Sequence, residues 1–457
     1  MNRPAQDRAA EDRLATFAAE LGHADLTEDL LHSGRRSLVN IFATAFTGCA
    51  EEAISILLET EAPFAAPGNC TLIGRGERTN PALAACLNGA GANIFDFDDT
   101  HEATIIHPAA PVFPALFALA EARSETGKPV AGRDLLRAFI LGCEVECRIG
   151  NAMSPEHYAR GWHITSTCGI FGAAAATGHL LGLSPERMRH AFSAAAAQSA
   201  GLVETLGTMA KSVSVGNAAR LGFMSALLAA QGLTGPARPL SGTRGYLRVY
   251  ADAPRIDALT AALGSHWEAA SNTYKPYPVG VVLNPVIEAV LDMREADGLR
   301  LPDVARIELT GHPLLRQRTD RADAATGRET QVSAQHAVAI ALLRGTAGLA
   351  EFGDAAAAAT LAAGRPEIEF TDSDAHGIDS IEITVHLSNG RRIGRQIDHA
   401  AGSRARPLTD GALETKLSTA AKAAGFKGDI QGLIAALWKI DSAPDAAVIV
   451  RMAAAAP

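Results

Sequence analysis

Apolar residues recur at helical spacing through almost all of the first 270 residues. Leu14, Phe17, Ala18 and Leu21 form one stripe, and Leu31, Leu38, Ile41, Phe42 and Ala45 form another behind Thr27, a hydroxyl placed to cap a helix start. Asn80-Pro81 reads as a helix start with proline in the first position. Leu83, Cys86, Leu87, Ala90 and Ile94 then carry a buried stripe into a cluster of acids. Further helices are predicted over 132–149, 170–181 (ended by Gly182), 185–200 and 218–232.

The pattern changes after Ser271. Tyr274-Lys-Pro-Tyr-Pro278 is a double-proline hinge, and a helix is predicted near 285–294. Val304–Leu309 alternates as a strand does, and Asp379–Leu387 does so more clearly. Asn389-Gly390 predicts a hairpin turn into a partner strand over 391–397, with helices at about 332–344 and 354–363 between the strands. Helical spacing returns at 413–424 and 430–439. The prediction is a mainly α protein: a helical domain built from residues 1–272 and 405–457, with an α+β domain, 273–404, inserted between them.

Composition agrees with two domains. A chain of 457 residues is too long for one ordinary core. With 47% hydrophobic and 20% charged residues it is not a disordered chain. Alanine runs at 173–176, 194–197 and 355–359 favour close helix packing. The net charge of −9, with no basic block, argues against nucleic acid. No apolar run approaches the roughly 20 residues of a membrane span, and the first 21 residues lack the apolar core of a secretory signal. The six cysteines sit in apolar helical patterns, as buried thiols of a cytoplasmic protein do. Cys143 and Cys147 share a helix face, but with no second pair or nearby histidine no metal site is expected there.

The candidate chemistry begins at Asn93–His101 and Ile106-His107-Pro108. Asp96, Asp98, Asp99, Thr100, His101 and His107 are threaded through Ile94, Phe95, Phe97, Ile105 and Ile106. Ionisable groups among apolar ones are partly desolvated, which moves pKa values toward those that acid–base catalysis uses. Three acids also follow a helix whose C-terminal dipole disfavours them. Asp-Phe-Asp-Asp-Thr matches the DxDxT signature of aspartyl phosphatases, but that signature follows a buried strand and here the preceding residues are helical with two glycines. His101, beside Glu102, is expected to be partly exposed.

Three further segments stand out. His163, in Gly161–Gly169, opens a helix of very small residues whose amides and dipole suit an anion. Lys211 lies in a nearly uncharged segment, and Lys275 lies on the hinge, where clefts between domains form.

These four segments, in this order, resemble the MmgE/PrpD family: the acidic stretch with His107-Pro108 and Val112–Glu121, then Gly161–Gly169, then Lys211–Ala219 with Gly232–Pro236, then Lys275–Pro278. Family members include 2-methylcitrate dehydratase, cis-aconitate decarboxylase and iminodisuccinate epimerase. The resemblance implies that the inserted domain is a lid, that the protein is a homodimer, and that Asp96, Thr100, His107, His163, Lys211 and Lys275 face a domain cleft. Two positions depart from the family pattern. Asn284 stands where a histidine is common, and Ser333-Ala-Gln-His336 replaces a pattern ending in tyrosine.

The resulting expectation is acid–base chemistry on a small di- or tricarboxylate, with no cofactor and no metal. His107 and His163 carry protons, with Asp96 and Lys211 completing the catalytic set. Thr100, Lys275 and His336 bind substrate. A lyase, dehydratase or decarboxylase, is expected. An epimerase and a non-catalytic carboxylate-binding protein of the same fold are the alternatives.

Overall fold

Helix starts fall where the sequence supplies a cap. Thr27 Oγ1 accepts from the Leu30 amide at 3.3 Å and opens α1 (Glu28–Gly48). Asn80 Oδ1 accepts from the Leu83 amide at 3.0 Å and opens α2 (Pro81–Asn93). The computed structural model describes residues 3–455, so the outermost ends of the two predicted helical segments, residues 1–2 and 456–457, lie outside the described residues.

The fold is mainly α, as predicted. The chain divides into two compact units. The first is Met1–Ile94, Asp98–Asn272 and Asp410–Pro457, and the second is Phe95–Phe97 with Thr273–Thr409. The first unit is helical: α3 (Ala109–Glu125), α4 (Gly132–Met153), α5 (Ile164–Leu180), α6 (Pro185–Ala196) and α7 (Met209–Ala230) follow α2, and Asp410–Ala423 and Ile430–Trp438 return from the far end of the chain. Two helices begin earlier than apolar spacing indicated, α5 at 164 rather than 170 and α7 at 209 rather than 218. Their first turns carry polar and small residues, so a hydrophobic pattern does not report them.

Small side chains let the helices approach closely. A Cβ on Gly222 of α7 would lie 2.5 Å from Ile170 O and from Ala173 Cβ of α5. One on Gly142 of α4 would lie 2.8 Å from Gly172 O of α5, and one on Gly216 would lie 2.3 Å from Cys86 O of α2. By length and composition α7 is, contrary to the sequence reading, apolar enough to cross a bilayer. Half of its best window is buried against the rest of the chain, and its Arg220 pairs with Glu61 at 2.5 Å.

The second unit is α+β. Its sheet has the order β2-β1-β3-β4, with β1 (Val304–Gly311) parallel to β2 (Ile368–Asp372) and antiparallel to β3 (Ile381–Leu387), which pairs antiparallel with β4 (Arg392–Ile397). The Asn389-Gly390 turn forms as predicted, with Gly390 at φ +84 and its amide donating to Leu387 O at 2.9 Å. Strand β2 was not anticipated, because a short edge strand with half-exposed positions carries little pattern. Helices Asn284–Ala296 and Ala334–Arg344 contribute Val286, Ile287, Val290, Val338 and Ile340 to one core with Ile307, Leu309, Ile383 and Val385 of the sheet.

All six cysteines are buried free thiols. Two buried charges on α4 are less ordinary. Arg148 donates to Glu144 Oε1 at 2.5 Å, to Ala261 O at 2.8 Å and to His266 O at 2.7 Å, while Glu144 Oε2 accepts from the Ala269 amide at 2.9 Å. This pair fixes the irregular segment 261–269 to the helical core. Glu146, also on α4, is fully buried, and neither oxygen has a hydrogen-bond partner among the described residues. Its carboxyl fits over Gly169 and Gly172 of α5, where an added Cβ would lie 3.1 Å and 3.0 Å from Oε2. Burial, and then the nearby Asp99 charge, push it well above the usual carboxylate range, which favours its neutral form.

Two stability predictions follow from α4. Burial already pushes the Glu144 carboxyl up to about 7 with Arg148 beside it. Arg148→Leu removes the cation that opposes this, leaves a buried acid without its partner, and should cost about 3–5 kcal/mol in denaturant unfolding. Adding Glu144→Gln should recover part of that loss. Glu146→Gln keeps the shape of a neutral acid. Because the native pKa is raised, the wild type loses stability as pH rises above about 4.5, the ordinary Glu value. The melting temperature of Glu146→Gln should therefore be close to wild type near pH 4.5 and exceed it increasingly toward pH 8. A constant gap would mean that Glu146 is ionised in the fold.

Candidate active site

After α2 ends, the chain makes a tight excursion before α3. Asp96 (φ +53) and Ile105 (φ +59) both adopt left-handed backbone. For a β-branched residue such as Ile105 this conformation costs on the order of 1–3 kcal/mol, a kind of strain that concentrates at functional sites. The His101 amide donates to Ile106 O, and the Ile105 amide donates to His101 O, both at 2.8 Å. These bonds close the loop and deliver His107 to the start of α3.

His107 Nδ1 lies 2.8 Å from Asp99 O and 3.1 Å from Asp98 Oδ1. Both are acceptors, so Nδ1 carries hydrogen. Asp98 is fully buried and its Oδ2 accepts from Asn93 Nδ2 at 2.7 Å. Asp99 Oδ1 accepts from the Ala109 amide at 3.2 Å and Oδ2 from Asn272 Nδ2 at 3.0 Å, which ties the loop to the first residue of α3 and to segment 268–272. Burial and the adjacent Asp98 charge push the Asp99 carboxyl up to about 7, against the pull of His107.

The His107 amide donates to Thr165 Oγ1 at 3.1 Å, which brings the loop to the first turn of α5. His163 is the N-cap residue of that helix, and its side chain does not cap it. Its Nδ1 instead lies 2.7 Å from Ser166 Oγ, which lies 2.6 Å from Ser214 Oγ of α7. Ser214 Oγ donates to Lys211 O at 2.7 Å. The contacts at Ser166–Ser214 near the helix starts, and at Gly222 with Ile170 and Ala173 further along, make α5 and α7 parallel. Their positive ends therefore lie side by side, and neither has a side-chain cap. Lys211, in the first turn of α7, is 5% exposed. The dipole disfavours a cation there, so amides and ammonium together make a place for an anion.

In the second unit, Lys275 is 2% exposed; its Nζ donates to Asp96 O at 2.7 Å and lies 3.3 Å from Asp96 Oδ1. The loop thus contributes Phe95–Phe97 to one unit and Asp98 onward to the other. Thr100 is buried in the short strand Asp99–His101 of the first unit.

Two expectations change. His101 is fully buried, not partly exposed, with Nδ1 2.7 Å from Thr104 Oγ1 and Nε2 3.1 Å from Glu268 Oε2. The hydrogen bond from His101 holds the Glu268 carboxyl down at about 2 against its burial, so His101 anchors the loop. His336 is buried in the second unit's core, with Nδ1 2.9 Å from Thr360 Oγ1 and Nε2 2.8 Å from Glu351 O. Both ring nitrogens are engaged, and burial pulls the imidazole down to about 4, which suits a neutral packing residue. Asn284 is buried and donates to Val281 O at 3.1 Å. Sequence reasoning passed over Ser166 and Ser214, although each stands three residues after a chosen residue, His163 or Lys211, on the same helix face.

Comparison with known proteins shows the family. Residues 12–259 match the MmgE/PrpD N-terminal domain and residues 277–439 the MmgE/PrpD C-terminal domain. A cis-aconitate decarboxylase of Aspergillus terreus is 31% identical over 287 residues, 61% of this chain and 59% of the fungal enzyme. A human cis-aconitate decarboxylase is 30% identical over 285 residues, 62% of this chain and 58% of that protein. A mouse cis-aconitate decarboxylase is 26% identical over 460 residues, 93% of this chain and 90% of that protein. The alignment with the fungal enzyme thus spans less than two thirds of its length. With both domains matched in order along most of its length, the chain belongs to the MmgE/PrpD family.

Proposed function

We propose that this chain is a carboxy-lyase that removes CO2 from a small unsaturated tricarboxylate of the cis-aconitate type, by acid–base chemistry and with no redox cofactor. The observation that supports this most is the anion place at the paired starts of α5 and α7, with Lys211 in its first turn and His107 and His163 beside it. The relatives named cis-aconitate decarboxylase favour loss of CO2 over loss of water.

In this reaction the C–CO2 bond breaks and its electron pair moves into the neighbouring double bond. A new C–H bond then forms at the far carbon of that system. The substrate's remaining carboxylates need fixed positive partners, because the allylic anion spreads its charge onto them. Lys211 and the helix amides serve this role, with Thr100 as a further substrate partner. His107, backed by Asp98, delivers the proton from Nε2. Asp96 holds the Lys275 ammonium, with Nζ 2.7 Å from its carbonyl oxygen and 3.3 Å from Oδ1. His336 is a packing residue of the second unit, not a substrate ligand.

The test is proton NMR in deuterated water on purified protein with cis-aconitate, citrate, 2-methylcitrate and iminodisuccinate. Consumption of cis-aconitate, with one deuterium fixed in a product one carboxyl group smaller, is expected. His107→Gln should lower that turnover by roughly 10²–10⁴-fold, with the melting temperature nearly unchanged. Loss of water would make the protein a dehydratase, and exchange without net product an epimerase. Binding of these acids without any reaction would make it a carboxylate receptor, and each of these results overturns the decarboxylase reading.

A further inference from the structure

His163 is the second proton-exchanging candidate, and a chain of hydroxyls behind it decides which of its nitrogens does the work. The chain ends on the carbonyl oxygen of Lys211, which can only accept. Ser214 Oγ, 2.7 Å away, must donate its one hydroxyl hydrogen there. The hydrogen in the 2.6 Å contact between Ser166 Oγ and Ser214 Oγ then belongs to Ser166. With its hydrogen spent, Ser166 meets His163 Nδ1, 2.7 Å away, as an acceptor. The hydrogen in that contact is the imidazole's own.

We infer that Ser166 and Ser214 are positioning residues that lock neutral His163 in the Nδ1–H form, so that Nε2 is the nitrogen that takes up and gives back the proton. The chain is directional because its last acceptor is a peptide carbonyl in a helix, which cannot reverse. It is also held in place. Gly201 backs Ser166 at φ +145, and a Cβ there would lie 2.8 Å from Ser166 Cβ and 3.0 Å from its Oγ. The His163 amide donates to Gly201 O at 3.1 Å, so the same glycine fixes the residue's backbone.

His107 and His163 thereby differ in kind. Each has hydrogen on Nδ1, but His107 has the buried Asp98 carboxylate beside that nitrogen, whereas His163 Nδ1 rests on a neutral hydroxyl. The two rings therefore hold their Nδ1 hydrogens on different kinds of acceptor.

The kinetic part of the test rests on the proposed lyase reaction, whereas the spectroscopic part needs no substrate, so the two can fail separately. Nitrogen-15 NMR of ring-labelled protein distinguishes the tautomers, and comparison with His163→Gln identifies the His163 signals among the 14 histidines. The wild type should show protonated Nδ1 and unprotonated Nε2 for neutral His163. Ser214→Ala frees the Ser166 hydroxyl to donate to the ring, and should give a mixture of tautomers. It should also lower kcat by about tenfold, hold KM within about twofold, and shift the pH profile of kcat/KM. Ser214→Thr, which keeps the hydroxyl, should restore the single tautomer and the profile. A wild-type His163 carrying its hydrogen on Nε2 would overturn the assignment. So would a Ser214→Ala variant with unchanged tautomer and pH profile.

Discussion

The architecture of the first unit turns on the parallel contact between α5 and α7. Two parallel helices set positive ends side by side, an arrangement that electrostatics disfavours until an anion sits between them. Lys211 raises that cost further, and no side-chain cap relieves it at either start. The contact exists because the facing surfaces are made of glycine and alanine. Gly222 lies against Ile170 and Ala173, and Gly169 and Gly172 leave room for the Glu146 carboxyl. Close packing thus brings two positive helix ends and the Lys211 charge to one place.

The same end of the unit concentrates groups that local rules would place elsewhere. Ile105 takes a left-handed backbone, Asp98 and Asp99 are adjacent and fully buried, and Glu146 is an acid without a polar partner among the described residues. Each costs stability, and each surrounds His107 or the helix start at His163. Structural tasks nearby are met differently. Arg148 with Glu144 and His101 with Glu268 are satisfied pairs that hold the loops 261–269 and 101–106 in place. Strained backbone and buried acids thus gather at this end of the unit, while satisfied ion pairs hold the loops around it.

Much of this was legible in the sequence. Helix caps at Thr27 and Asn80, the hairpin at Asn389-Gly390 and the change to α+β after Ser271 all follow from local rules, and all are present. The candidates His107, His163 and Lys211 come together in the first unit, and Asp96 meets Lys275 in the second. What the sequence hid has physical reasons. The first turns of α5 and α7 bury polar residues, so apolar periodicity began too late in both. His101 and His336 look like chemical residues by type, and only burial with both nitrogens engaged reveals them as structural. Ser166 and Ser214 were visible as a spacing of three from His163 and Lys211, but their role depends on the parallel packing that joins them.

The central claim is that the joined helix starts with Lys211 form a carboxylate site. It is tested most directly by calorimetric titration of a tricarboxylate that the protein does not turn over, into wild type and Lys211→Met at fixed ionic strength. A hydrogen bond to a charged partner contributes about 1.5–3 kcal/mol, so Kd should weaken by roughly ten- to a hundredfold in the variant. The affinity should also fall with added salt less steeply in the variant than in the wild type. Equal dissociation constants for the two proteins, with the same salt dependence, would contradict the account.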